Sequence, residues 1–83
     1  MTLEILWESD AMRLIKAKQS GQDRIVYINA DSICTFYSDL YEGKYKTKIY
    51  FNNGKCEIEG NHADDIVKFI SEYKYGLYDV SED

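Results

Sequence analysis

The stretch Lys48-Ile49-Tyr50-Phe51-Asn52-Asn53-Gly54-Lys55-Cys56-Glu57-Ile58-Glu59 decides the fold. Asn-Gly is the strongest short hairpin signal, because both central positions of a type I′ turn need positive φ. A two-residue turn at Asn53-Gly54 pairs Phe51 with Cys56, Tyr50 with Glu57, Ile49 with Ile58 and Lys48 with Glu59. One face of the ribbon then holds Phe51, Cys56, Ile49 and Ile58, and the other gains the opposite-charge pair Lys48 and Glu59. A slip of one residue would turn every apolar side chain to water, so pattern and register support each other.

Working upstream, Glu42-Gly43 marks the preceding turn. A two-residue loop there pairs Leu40 with Tyr45, Asp39 with Lys46, Phe36 with Ile49 and Cys34 with Phe51. Both hairpins assign the same inner face to the shared strand Tyr45–Asn52, which predicts a three-strand meander. Further back, Val26 and Ile28 alternate with Ile25 and Tyr27, and Asn29-Ala30-Asp31-Ser32 reads as a tight turn into Ile33. Met12–Gln19 is open to two readings. Its Ala, Met, Leu, Lys and Gln favour helix, with Ser9 as cap and Gly21 as stop. As a strand turning at Gly21-Gln22 it pairs Ile15 with Ile28 and Ala17 with Val26, and that reading is preferred. Leu3, Ile5 and Trp7 alternate with Glu4 and Glu8, which predicts an opening strand.

Downstream the period changes from two to three or four. Ala63, Ile66, Val67, Ile70 and Tyr73 form an apolar stripe that Phe69 widens, with Asn61 as cap and Gly76 as stop. Asp64 and Asp65 fall in the first turn, where the helix dipole favours anions. Burying such a stripe is worth about 1.5–3 kcal/mol per side chain before entropy is charged. The expected fold is α+β: an antiparallel β-meander of five to six strands, with one C-terminal α-helix packed on one face. Residues 1–76 form a single domain and residues 77–83 a loose acidic tail.

The 83 residues suffice for one core. A 45% apolar, 30% charged composition is that of a folded domain. The net charge of −5 opposes direct nucleic-acid binding and attraction to anionic membranes. It is unevenly spread: residues 1–56 carry seven acids and eight bases, whereas residues 57–83 carry eight acids and only Lys68 and Lys74. The acidic third reads as a solvated helix face and tail, or as a surface for a basic partner. No apolar run approaches 18 residues and no charged segment precedes an apolar stretch at the N-terminus, so neither a membrane span nor a secretory signal is expected.

The order of elements from Met12 to Ile70, with Tyr27-Ile28-Asn29-Ala30-Asp31-Ser32-Ile33, Ile49-x-Phe51-x-Asn53-Gly54 and Asp64-Asp65-Ile66-Val67, resembles the FlbD-like family of small flagellar or swarming-associated proteins. That family carries no catalytic residues, so the resemblance implies a non-enzymatic fold. Small phage-encoded inhibitors offer an analogy in length and charge alone.

Catalytic chemistry is not legible. Cys34 and Cys56 fall on either side of Phe51, two strand spacings or about 9–10 Å apart, whereas a disulfide needs Cα atoms within about 7 Å. Two free, buried thiols and a reducing, cytoplasmic compartment are expected. One His and no C-x-x-C leave no metal set, and no cofactor is expected. His62 reads as a surface or capping residue, because a general base needs a nucleophile and an orienting partner. Asp64 and Asp65, about 100° apart on a helix, clasp an ion poorly. Glu57 and Glu59 each have a cross-strand neighbour. The glycines are isolated turn residues, so no phosphate-binding loop exists.

The outer sheet face holds the candidates. Tyr37, Lys46, Lys48, Tyr50 and Glu57 share it with Thr35; Tyr41 lies at its turn, and Lys16 and Tyr27 extend it if the first hairpin forms. Such a face suits a half-solvated sheet, a protein or self-association interface, or a stacking site for a nucleotide-like anion. The expected function is non-catalytic: an acidic protein that docks on and modulates or inhibits a protein partner, its carboxylates competing with nucleic acid for a basic groove. A homo-oligomer that captures a phosphorylated small ligand on Tyr37, Lys48 and Tyr50 is the alternative, and a motility-type structural accessory the third.

Overall fold

The computed structural model describes residues 12–81. Among the described residues it is α+β, with six strands and one α-helix. In order these are β1 (Arg13–Lys18), β2 (Ile25–Asn29), a one-turn 3₁₀ helix (Ala30–Ser32), β3 (Thr35–Tyr41), β4 (Lys44–Phe51), β5 (Gly54–Glu59), α1 (Ala63–Glu72) and β6 (Gly76–Asp79). The opening strand expected around Leu3–Trp7 lies outside the described residues.

Met12–Gln19 resolves as strand. β1 and β2 pair Ile15 with Ile28 and Ala17 with Val26, the register set by a turn at Gly21-Gln22. Burying Ile15, Ala17 and Ile28 together outweighs the helix propensity of their neighbours. The Asn29 side chain then closes the next turn by accepting the Asp31 N–H at 3.0 Å.

The single meander divides in two. β3, β4 and β5 form one antiparallel sheet, and β2, β1 and β6 a second. They touch where Gln19 bridges to Ile58 and the Ser20 N–H donates to the Glu57 carbonyl at 2.8 Å. The expectation of a loose tail is overturned for residues 77–80. Gly76–Asp79 pairs in parallel with β1, and Val80 is buried while its N–H donates to the Lys16 carbonyl. Gly76, at φ +134°, opens this strand rather than stopping the helix, which has already ended with the Tyr73 N–H on the Phe69 carbonyl.

The Asn-Gly hairpin needs a correction of register. The turn runs one residue earlier, through Asn52-Asn53, so Phe51 pairs with Gly54, Ile49 with Cys56, Thr47 with Ile58, Lys48 with Glu57 and Lys46 with Glu59. Glu42 is the one non-glycine residue with positive φ among the described residues, so neither asparagine adopts the I′ geometry. Every partner moves by two positions, which preserves the faces. The β3–β4 register stands as expected, from Thr35 opposite Tyr50 to Tyr41 opposite Lys44.

Ile15, Ala17, Ile28, Ile49, Ile58, Ile66, Phe69 and Val80 join in one core. The helix contributes Ile66 and Phe69. Val67 and Tyr73, expected in its buried stripe, are exposed because the stripe follows positions 62, 66 and 69. The cap is His62, not Asn61, and His62 is buried rather than at the surface. Both cysteines are free, but Cys34 is exposed and Cys56 is half-buried, correcting the expectation of two buried thiols. No helix among the described residues is long and apolar enough to cross a membrane.

Candidate functional site: the outer face of the three-stranded antiparallel sheet

The pleat places odd residues of β3 and β5 and even residues of β4 on the face away from the core. Three cross-strand rows result: Thr35, Tyr50 and Lys55; Tyr37, Lys48 and Glu57; Asp39, Lys46 and Glu59. Five of the six candidate residues therefore lie together on one surface. The sixth, Tyr41, is exposed but sits four residues beyond Tyr37, about 13 Å along β3. Lys16 and Tyr27 do not extend this face by strand pairing. They belong to the other sheet, where the Lys16 ammonium lies 5.9 Å from the Tyr27 ring centre and 3.9 Å from Asp79.

The phenols of Tyr37 and Tyr50 occupy a diagonal. Their ring centres are 6.0 Å apart, the planes differ by 17°, and the two hydroxyls share a hydrogen bond of 3.3 Å. That is an offset stack with a hydrophilic edge, a favourable aromatic pairing. Tyr37 remains 43% exposed, so the platform is open to a partner. The hydrogen bond shared with Tyr50 holds the Tyr37 hydroxyl above its ordinary value of 10.0, with a smaller push from burial.

Asp39 joins this site, although the sequence suggested only Lys46 as its neighbour. Its carboxylate lies 3.4 Å from the Lys48 ammonium, on the diagonal instead of the direct pair. Diagonal neighbours on a sheet are within reach of a lysine, and that was the signal available in the sequence. The hydrogen bond to Asp39, followed by the Tyr37 phenol, raises Lys48 above its usual 10.5. Lys48 is therefore a fixed cation at neutral pH. Glu57, directly opposite Lys48, is also 4.0 Å from Lys55.

The face is thus a lattice of alternating charge around an aromatic pair. It offers stacking area, hydroxyls and both signs of charge, with no nucleophile–base couple. Among the described residues, no group of three or more His, Cys, Asp or Glu side chains is placed to hold a metal ion. No protein-family model, curated protein or solved structure matches the chain.

Proposed function

We propose that the protein is a non-catalytic binding module that docks on a protein partner through the outer face of β3–β4–β5. The observation that carries this reading is the exposed Tyr37–Tyr50 stack framed by Asp39, Lys48 and Glu57. Tyrosines supply contact area at low entropy cost, and a mixed-sign rim favours one orientation of one partner over non-specific adhesion. The acidic C-terminal third adds attraction for a basic partner, including one whose groove otherwise holds nucleic acid; such attraction weakens with salt. Modulation or inhibition of that partner, and a motility-type accessory role, are particular forms of this docking.

A second reading has one observation in its favour: the stacked phenols would accept a base, and Lys48 stands beside them as a cation for phosphate. Lys48 is already engaged by Asp39 and faces Glu57, which makes the face less attractive to an anion. Affinity capture with the wild-type protein and a Tyr37→Ala/Tyr50→Ala variant of equal thermal stability tests the docking reading. A partner held by the wild type and lost by the variant supports it; equal capture rejects this face.

A further inference from the structure

The charges of the outer sheet face balance, although those of the chain do not. Lys46, Lys48 and Lys55 stand against Asp39, Glu57 and Glu59 in its three rows, whereas the whole chain carries 15 acids and 10 bases. All six side chains are exposed or half-buried. Two copies of an acidic protein repel on average, and a neutral face of mixed sign is a surface on which they can meet.

A face that docks on its own copy does so about a two-fold axis lying in the plane of contact. An axis along the strands sets Lys46 and Lys48 each on itself and Asp39 on Glu59. An axis across them sets Lys48 and Glu57 each on itself. The diagonal from Lys55 through Lys48 to Asp39 sets all three on themselves. The other diagonal, from Thr35 through Lys48 to Glu59, gives a different result. It lays Tyr37 on Tyr50 of the second copy, Asp39 on Lys55 and Lys46 on Glu57, and each of these contacts occurs twice. With strands about 4.8 Å apart and alternate residues about 6.8 Å apart, the exchanged positions coincide to within about 3 Å.

Sheet geometry favours the same diagonal. The strands of the two copies then cross at about 90°, one of the two packing classes of twisted sheets. The rotation between neighbouring strands lifts the Lys55 and Asp39 corners toward the second copy and lowers the Thr35 and Glu59 corners. The two Glu59 side chains are thereby drawn apart, and each already accepts its own Gly21 N–H at 3.2 Å. The two Lys48 ammonium groups on the axis are each neutralised by their own Asp39 at 3.4 Å.

We propose that two copies of the chain pair through the outer faces of β3–β4–β5 in this crossed arrangement. The pairing rests on that face being the docking surface, and it names the partner. Each Tyr37–Tyr50 stack meets its own image in a four-ring centre, flanked by the Asp39–Lys55 and Lys46–Glu57 contacts. The patch measures about 20 by 14 Å. That is small beside the roughly 800 Å² per partner of a standard interface, so the dimer dissociates in the micromolar range or above.

Sedimentation equilibrium of the full-length protein, from about 10 μM to about 1 mM, should show a reversible dimer that weakens with salt. Asp39→Lys creates two like-charge contacts at the crossed corners, and so does Lys55→Glu. Each variant alone should dimerise at least about tenfold more weakly. Mixed one to one, the two variants regain opposite charges at both corners, and the mixture should associate to within about threefold of the wild type. Contacts inside one chain cannot produce that rescue, because the two corners lie about 17 Å apart on the same face. A wild type that stays monomeric throughout overturns the pairing and leaves the outer face to a foreign partner, which capture with the Tyr37→Ala/Tyr50→Ala variant tests separately. A dimer that neither substitution weakens overturns it too, as do variants that fail to associate when mixed.

Discussion

The hydroxyl of Ser38, on the inner side of β3, accepts the backbone N–H of Ala63 at 3.1 Å, so the sheet itself caps the helix. Thr47 on β4 does the same one residue earlier. Its oxygen accepts the His62 N–H at 2.9 Å while its hydroxyl donates to the Gly60 carbonyl at 2.8 Å. The first N–H groups of a helix have no partner within it, and here two strands provide them. Helix placement and strand register are therefore linked through two hydroxyls.

Thr47 is fully buried, so Thr47→Val keeps its shape but strands two backbone groups. That should cost about 1–3 kcal/mol, the penalty of unsatisfied buried polar groups. Ser38→Ala, at a half-buried cap, should cost about 0.5–2 kcal/mol. Urea unfolding measures both. A loss under about 0.5 kcal/mol for Thr47→Val would mean that water replaces the hydroxyl.

Arg13 secures the other end of the helix. One of its nitrogens donates to the carbonyls of Ile70 at 2.6 Å and Tyr73 at 3.1 Å, while the second pairs with Asp31. A cation on the last carbonyls complements the helix dipole, and the planar guanidinium alone spans three acceptors at this geometry. Arg13→Ala should lower stability by about 2–3 kcal/mol, as loss of charge-assisted hydrogen bonds does. Arg13→Lys should restore less than half of the loss. Full rescue by lysine would show that charge alone matters, and thermal unfolding distinguishes the two.

Much of this sheet was legible because its turns are local. Glu42-Gly43, with φ of 53° and 79°, has the I′ geometry that matches strand twist, and it fixes β3 against β4. The Asn-Gly reading missed the turn by one residue yet kept the faces, because the sum of paired positions changed by two. Hence Tyr37, Lys48, Tyr50 and Glu57 were placed on one side correctly. The β6 strand was not legible, since parallel pairing with β1 joins segments some sixty residues apart without any turn between them. Thr47 was missed for a related reason. Polar residues enter a core only where a partner awaits them, and the partners, Gly60 and the helix start, come from elsewhere in the chain.

Cys56 should show the chemistry of a shielded thiol. Burial first, and then the charge of Glu57, push its pKa above the ordinary 9.0. The neutral thiol is thus favoured in the folded state, and the unfolded chain ionises at lower pH. Its contribution to stability is complete below about pH 9 and declines as pH rises past that ordinary value. Maleimide labelling at neutral pH should modify exposed Cys34 first. Labelling of Cys56 should lag and accelerate only in alkali, since the thiolate is the nucleophile. Mass spectrometry of the labelled peptides checks the order; equal rates at both sites would contradict the burial of Cys56.

The pairing of Lys48 with Asp39 separates the two readings of the outer face. Both groups are partly exposed, so Asp39→Asn should change stability by no more than about 0–1 kcal/mol, the range of surface ion pairs. It would, however, release the Lys48 ammonium beside the Tyr37–Tyr50 stack and remove one negative charge from the lattice. A phosphate-bearing ligand should then bind more tightly, and a nucleotide panel should raise the melting temperature of the variant more than that of the wild type. A protein partner matched to the native alternation of charge should instead bind the variant less well, because the carboxylate that orients it is gone. Stronger nucleotide stabilisation of Asp39→Asn, with undiminished capture of the protein partner, would move the assignment from docking face to ligand site.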